Sequence, residues 1–392
     1  MVLYTLKDIP NYIILVWKVF GGLPLKITSG PKTLKELTFS IAGFMWCLIL
    51  FILQEVLSCI ILYVIITEQI VGYDRSRTQK LALILDLMAL QIMAASTFFS
   101  GTCKYSRIID VFGTLDRIYR DLQYKNRDVK IQVKVIAVLI VTALLFMANF
   151  VNIVVKYSLD FPVLIAVNFL LLDCTQFAFL FHFTHVTESI ITGFKTVSNK
   201  MREEIICNLI ERRVMRRSLG DCDIFHTTRN TVSKIKKIKS LMNTYWMLCD
   251  AVHQVNDFYC DQLMAVMFSL FVHVTVKSYF FFMHVRSGNV FAFTMDAVWV
   301  LVLICYAILV ANSSTEITNS ADNTAVMICK LINKDLDPSF RKQLEGFLLQ
   351  LPHHNARFSA RGFFQIHNKT LTSMAGAVTT YLVILIQFQT EK

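Results

Sequence analysis

Apolar residues gather into seven long windows separated by polar connections: 38–67, 81–101, 133–156, 161–187, 260–284, 290–312 and 369–388. At 1.5 Å per residue, a helix of about 20 residues crosses a hydrocarbon core of about 30 Å, and each window reaches that length. A helix satisfies its own backbone hydrogen bonds in lipid, so windows of this kind predict spans. The expected fold is an all-α membrane protein of seven transmembrane helices. Pro162 is the one proline that touches a window, and it sits in a first turn where its missing N–H does no harm.

The polar connections have patterns of their own. Val232, Ile235, Ile238, Leu241, Met242, Tyr245, Cys249 and Val252 recur at spacings of three and four, the stripe of an amphipathic helix. No proline or glycine separates this stripe from the window at 260, so a single helix is expected from about residue 230 to 284. A partner is expected to descend from the fourth window through Met201, Ile205 and Leu209 to a break at Gly220-Asp221. Asp337-Pro338 reads as a cap followed by proline at the first helical position, and predicts a helix over 337–350 ended by Pro352. Each of these helices has an apolar face with no lipid to bury it, so together they predict a helical assembly outside the membrane.

Composition and charge fix the orientation. The 392 residues are 55% hydrophobic and only 17% charged, with a mean hydropathy of +0.53. The N-terminal tail and the connections 102–132, 188–258 and 313–368 hold 30 Lys and Arg, against 6 on the other side. The positive-inside rule then puts the N-terminus in the cytoplasm and, after seven crossings, the C-terminus outside. This divides the chain into a cytoplasmic tail 1–37, transmembrane helices 1–4 over 38–187, and cytoplasmic helical extensions over 188–258. Helices 5–6 follow over 259–312, more cytoplasmic helices over 313–368, a seventh span over 369–388 and an extracellular tail 389–392. The net charge of +11 belongs mostly to a cytoplasmic surface facing anionic lipid, and implies no nucleic-acid partner. The ten cysteines are scattered without a metal or disulfide spacing. There is no nucleophile with a base, no phosphate loop and no zinc pattern, so neither an enzyme nor a cofactor is expected.

The last window has two distinct faces. Wound at 100° per residue, Lys369, Ser373, Gly376, Thr380, Val383, Ile384 and Gln387 fall on one stripe. Leu371, Val378, Leu382 and Leu385 fall on the opposite one. A lipid-facing helix has no use for Ser, Gly, Thr and Gln in register. A helix packed closely on another, or lining water, does.

The spelling of this stretch is also familiar. Thr380-Tyr381, five apolar residues and Gln387-Phe388 resemble the C-terminal signature of the insect gustatory receptors. Phe358-Ser359-Ala360-Arg361-Gly362-Phe363-Phe364 resembles the segment that precedes that signature. The resemblance implies a tastant-gated, non-selective cation channel in the plasma membrane of chemosensory neurons. It implies a homo- or heterotetramer with other gustatory receptor subunits, anchored where their cytoplasmic helices meet. It also places the last helix along the pore, with Thr380, Val383, Ile384, Gln387 and Phe388 at the conduction path and gate. Four Ile384 side chains could close such a path by dewetting, with Gln387 one turn outward and Phe388 rotated by 100° from it. Glu391 could ring the outer mouth. Sugar-sensing members of the family tend to be longer chains, so a bitter or other non-sugar ligand is expected.

Polar groups inside the spans are expensive and need partners or a cavity. Those in outer halves are Asp86, Gln91, Asn149, Asn152, Asn168, Asp173, His273, Lys277, Asp296 and Trp299. They are the candidate lining of an outward-open ligand pocket. Lys277 and Asp296 lie at matched distances from the middle of the connection between the fifth and sixth windows, which predicts an ion pair between them. His182 and His185 share a helix face but lack a third ligand, so no metal site is expected. The alternatives are a G-protein-coupled receptor, whose orientation would be the reverse, and a secondary transporter. A transporter would favour an internal repeat with broken helices, and the chain has neither.

Overall fold

The structure is a computed structural model that describes residues 16, 18–29, 35–67, 77–122, 141, 144, 147, 148, 151, 161–217, 224–354 and 356–390. Six described helices are long and apolar enough to cross a membrane. They are α1 (Ile41–Ile66), α2 (Arg77–Cys103), α4 (Phe161–Arg217), α5 (Ile224–Arg286), α6 (Val290–Ile332) and α8 (Asn368–Thr390). They coincide with six of the seven expected spans. The remaining window, 133–156, lies largely outside the described residues. Val141, Leu144, Met147 and Val151, which belong to it, are helical, and all four are exposed.

Two helices run far beyond one membrane thickness. The 57 residues of α4 and the 63 of α5 correspond to about 85 and 95 Å. Met201, Ile205 and Leu209 of α4 are buried, as are Ile238, Leu241, Met242, Tyr245, Cys249 and Val252 of α5. The expected stripe therefore meets its partners, except at its first residue. Val232 is 63% exposed. The break expected at Gly220-Asp221 lies outside the described residues.

The sixth span does not stop at residue 312, where the apolar window ends. α6 continues unbroken to Ile332, a further five turns. Ser314, Ile317, Ala321, Thr324 and Ile328 are buried along this extension at spacings of three and four. Small side chains let the helix sit close to α4 and α5, but they lower the hydropathy that marks a span. α7 (Pro338–Gln350) then packs back with Phe340, Leu344 and Phe347 buried. Asp337 caps it as expected, its Oδ1 accepting from Ser339 N at 3.0 Å and Phe340 N at 3.2 Å. Phe194, Tyr245 and Phe347 stack edge-to-face at ring separations of 5.3 Å, joining α4, α5 and α7 into one core.

Two features close the inner end, the end expected to face the cytoplasm. An antiparallel hairpin of β1 (Leu25–Ser29) and β2 (Lys35–Phe39) pairs Leu25 with Phe39 and Ile27 with Leu37. Amphipathic α3 (Tyr105–Asp121) leaves the end of α2 and buries Ile108, Val111, Phe112, Leu115 and Ile118 against the long helices. A second, minimal hairpin, β3 (Ser359–Ala360) and β4 (Phe364–Gln365), leads into α8. In its three-residue turn, Arg361 and Gly362 both have positive φ, 50° and 79°, and Phe363 N donates to the Ala360 carbonyl at 2.9 Å.

Candidate ligand pocket and pore helix

The polar residues of the spans separate into three groups. The most deeply buried is ionic. Asp86 of α2 and His273 of α5 approach to 3.0 Å (Oδ1 to Nδ1), each side chain about as buried as a side chain can be. The approach is close enough for an ion pair but off the line a hydrogen bond needs, so Asp86 Oδ1 and both ring nitrogens of His273 have no hydrogen-bond partner. Asp173 of α4 lies within electrostatic reach of His273, Lys277 and Asp86. Three helices thus bring two carboxylates, an imidazole and an ammonium to one place in the outer half of the bundle. Ser269 Oγ, one turn below His273 on α5, is also buried without a partner.

The second group is neutral and hydrogen-bonded, apart from Gln91 Oε1, which is buried without a hydrogen-bond partner. Gln54 Nε2 donates to Thr175 Oγ1 at 2.8 Å and to the Leu171 carbonyl at 3.2 Å. Asn168 Nδ2 donates to Ser58 Oγ at 2.9 Å, and Ser58 Oγ donates in turn to Asn168 Oδ1 at 3.3 Å. Gln91 Nε2 donates to the Gln54 carbonyl at 3.2 Å and also to Ser58 Oγ. Gln91 and Asn168 therefore tie α1, α2 and α4 together. Gln54, Ser58 and Thr175 were not among the sequence candidates, since a lone amide or hydroxyl in an apolar helix gives no sign of which neighbour it meets.

The third group sits at the outer hairpin and corrects an expectation. Asp296 Oδ2 pairs with His284 Nδ1 at 2.7 Å, not with Lys277. The turn that joins α5 to α6 is centred on Gly288, which has φ +71°, rather than midway between residues 277 and 296. His284 lies seven residues beyond Lys277 on the same face of α5, two turns closer to that hairpin, and takes the place beside Asp296. Lys277 is left to the ionic group. Trp299 is buried on α6, 4% exposed. Asn149 and Asn152 lie outside the described residues. His182 forms a buried hydrogen bond to Tyr259, so its place is structural.

The final helix keeps the two faces its sequence predicts. Leu371, Met374 and Val378 pack on the main core, and Leu382 and Leu385 on a cluster with Val276, Tyr279 and Phe280 of α5. Tyr381 meets Phe271 edge-on at 5.8 Å. Ser373, Gly376, Thr380, Val383, Ile384, Gln387 and Phe388 are exposed, facing away from the chain's own bundle. A Cβ added at Gly376 would meet nothing within 4 Å. Glu391 lies outside the described residues.

The inner boundary of the spans carries an ionic hub and a cleft. Asp261 of α5 accepts from Lys104 Nζ at 2.7 Å through Oδ2, and through Oδ1 it pairs with Arg361 Nε. Arg107 pairs with Asp257 at 2.8 Å one turn lower. One carboxylate thus joins the α2–α3 junction to the turn that leads into α8. Above it opens a cleft of about 570 Å³ between α2 and α5. Ile92, Ser96, Phe99 and Ser100 line one wall, and Met264, Ala265 and Phe268 the other.

The described residues thus form a bundle of long membrane helices that continue into a helical domain and end on a helix with an unburied polar stripe. A family model described as 7tm chemosensory receptor matches residues 11–392, and the chain belongs to that family. Among curated relatives it is similar to the gustatory receptor for sugar taste 43a of Drosophila melanogaster, 27% identical over 153 residues, 39% of this chain and 36% of that one. It is 28% identical to gustatory receptor 68a of the same fly over 161 residues, 38% of this chain and 41% of that one. The matches thus span well under half the length of these relatives. The fold is similar to that of olfactory receptor OR5 from Machilis hrabei, with a TM-score of 0.66 and 12% identity over 96% of this chain and 97% of that one. That receptor has also been solved in complex with eugenol.

Proposed function

We propose that the protein is a ligand-gated, non-selective cation channel of chemosensory neurons, built from four copies or from four related subunits. One observation carries the reading. α8 buries its bulky stripe against its own chain and presents Gly376, Thr380, Ile384 and Gln387 outward at membrane depth. Four such stripes facing a common axis would form a water path, with Ile384 as a hydrophobic constriction and Gln387 and Phe388 outside it. The helices over 188–258 and 313–368 would hold the four subunits together below the membrane. An outward-facing C-terminus and the fold shared with an insect olfactory receptor favour this over a G-protein-coupled receptor.

The ligand would enter the outer half of the bundle at Asp86, Asp173, His273 and Lys277, with Gln91, Asn168 and Trp299 as further wall. A basic, bitter-type compound suits this site better than a sugar. Two carboxylates, one with an unpartnered oxygen, can hold a protonated amine. α5 carries His273 and Lys277 on one side and packs on α8 with another, so a shift of α5 on binding would reach the gate directly. The ligand opens the channel only to the extent that it binds the open arrangement more tightly.

Cysteine accessibility tests the pore. Thr380→Cys should become blockable by a water-soluble thiol reagent applied to the cytoplasmic face of an excised patch, and Leu382→Cys should not. Gln387→Ala should change conductance or resting leak. Equal block at both positions, or currents untouched by the Gln387 change, would overturn the pore assignment.

A further inference from the structure

We propose that the cleft between the lower halves of α2 and α5 binds an anionic phospholipid of the cytoplasmic leaflet, an acyl chain in the groove and its phosphate on Arg361. The groove runs from Ile92 to Lys104, which at 1.5 Å per residue is about 18 Å along α2, and it lies within the membrane layer. Its mouth is apolar and uncovered: Ile92, Phe99 and Phe268 are 48%, 56% and 48% exposed. A groove of about 570 Å³ is large enough for a ligand of drug size or for one chain of a lipid.

Charge decides the occupant. The polar end of the groove lies where α2 stops at Cys103, the level of the inner headgroups under the orientation set by the basic loops. Three cations converge there, Lys104, Arg107 and Arg361, against two carboxylates, Asp257 and Asp261. Lys104 is held by the Asp261 carboxylate and the Asp257 carbonyl. Arg361 gives only Nε to Asp261, its side chain is 62% exposed, and the terminal nitrogens of its planar fork suit a phosphate bidentately. A basic pocket between membrane helices on the cytoplasmic side is the general form of an anionic-lipid site. A neutral tastant would have no use for the fork, and a second protein copy would have to bury a net positive charge against it.

The site also bears on the gate. Arg361 holds a left-handed backbone, φ 50°, in the turn directly before α8, and its tie to Asp261 is what a phosphate would share. An occupied site would therefore draw Arg361 away from α5 and change how firmly the pore helix follows that helix.

The test uses the full-length protein in phosphatidylcholine nanodiscs carrying a trace of photoactivatable phosphatidylserine, or of phosphatidylcholine with the same chains. The expected result is phosphatidylserine labelling concentrated on peptides containing residues 92–103 and 261–268. Arg361→Gln should lower the preference for phosphatidylserine by about fivefold, the equivalent of the ~1 kcal/mol one Arg contributes against anionic lipid. Ser96→Trp, which fills the groove without touching the charges, should remove labelling by both lipids while the protein still elutes as the wild type does. Equal labelling by both lipids, labelling spread over all lipid-facing helices, or cross-links from this groove to another copy of the chain would overturn the proposal. Displacement of the label by inorganic phosphate alone would reassign the site to a free anion and overturn it as well.

Discussion

At the scale of single residues, depth and pairing separate interactions that look alike in the sequence. Asp86 and Asp296 are both carboxylates in predicted spans, and both meet a histidine. Asp86 is almost wholly buried with His273, whereas Asp296 and His284 keep 15% and 24% of their side chains exposed. Removing one partner of a wholly buried polar pair leaves the other unsatisfied and costs about 1–3 kcal/mol, while an accessible pair contributes about 0–1 kcal/mol. Asp86→Ala should therefore lower the melting temperature of the detergent-solubilised protein sharply and Asp296→Ala only slightly. Equal losses would mean that the burial of the two sites has been assigned wrongly. The sequence made the presence of these residues conspicuous, because charge in an apolar helix always is. It concealed their partners, because pairing depends on where a turn is centred. Centring the α5–α6 turn on Gly288 moves Lys277 away from the level of Asp296, and His284, nearer the hairpin, is the residue that meets it.

At the scale of elements, hydropathy located the spans well and their continuations unevenly. The stripe from Ile238 to Val252 announced the lower half of α5 because large apolar residues recur along it. The lower half of α6 uses Ser314, Ala321 and Thr324 at the equivalent positions, so the pattern predicts helices over 313–368 but not their continuity with the sixth span. Close packing also shows at two glycines, and the two should respond differently to alanine. A Cβ at Gly101 would lie 2.4 Å from the Gly22 carbonyl oxygen, which is backbone and cannot turn aside. A Cβ at Gly193 would lie 2.8 Å from Leu248 Cδ2, the far end of a flexible side chain. Gly101→Ala should force α2 away from the segment before β1 and cost about 1–3 kcal/mol, with Gly193→Ala below it. Thermal unfolding of the two variants in the same detergent gives the order directly, and the reverse order would contradict the packing described for the inner end of α2.

At the scale of the whole molecule, the decisive quantity is the number of crossings. The charge asymmetry between the two sides of the bundle sets the direction of the first span, and each later span reverses it. Six described helices place α8 outward only if the window 133–156 crosses as well, and Val141, Leu144, Met147 and Val151 are suited to that crossing, since they lie exposed along a helix and are large and apolar. A tag placed after Lys392 should then stain on intact cells, without permeabilisation. Staining only after permeabilisation, with delivery to the surface established by an independent label, would require either an even number of crossings or the reverse orientation. The polar stripe of α8 would then run in the opposite sense, with Gln387 and Phe388 at the cytoplasmic mouth and Lys369 outside. The site at Lys104 and Arg361, both held by Asp261, would then no longer be fixed in the cytoplasmic headgroup layer. The pore direction and the lipid site therefore both depend on this one topology, and a single staining experiment tests the premise they share.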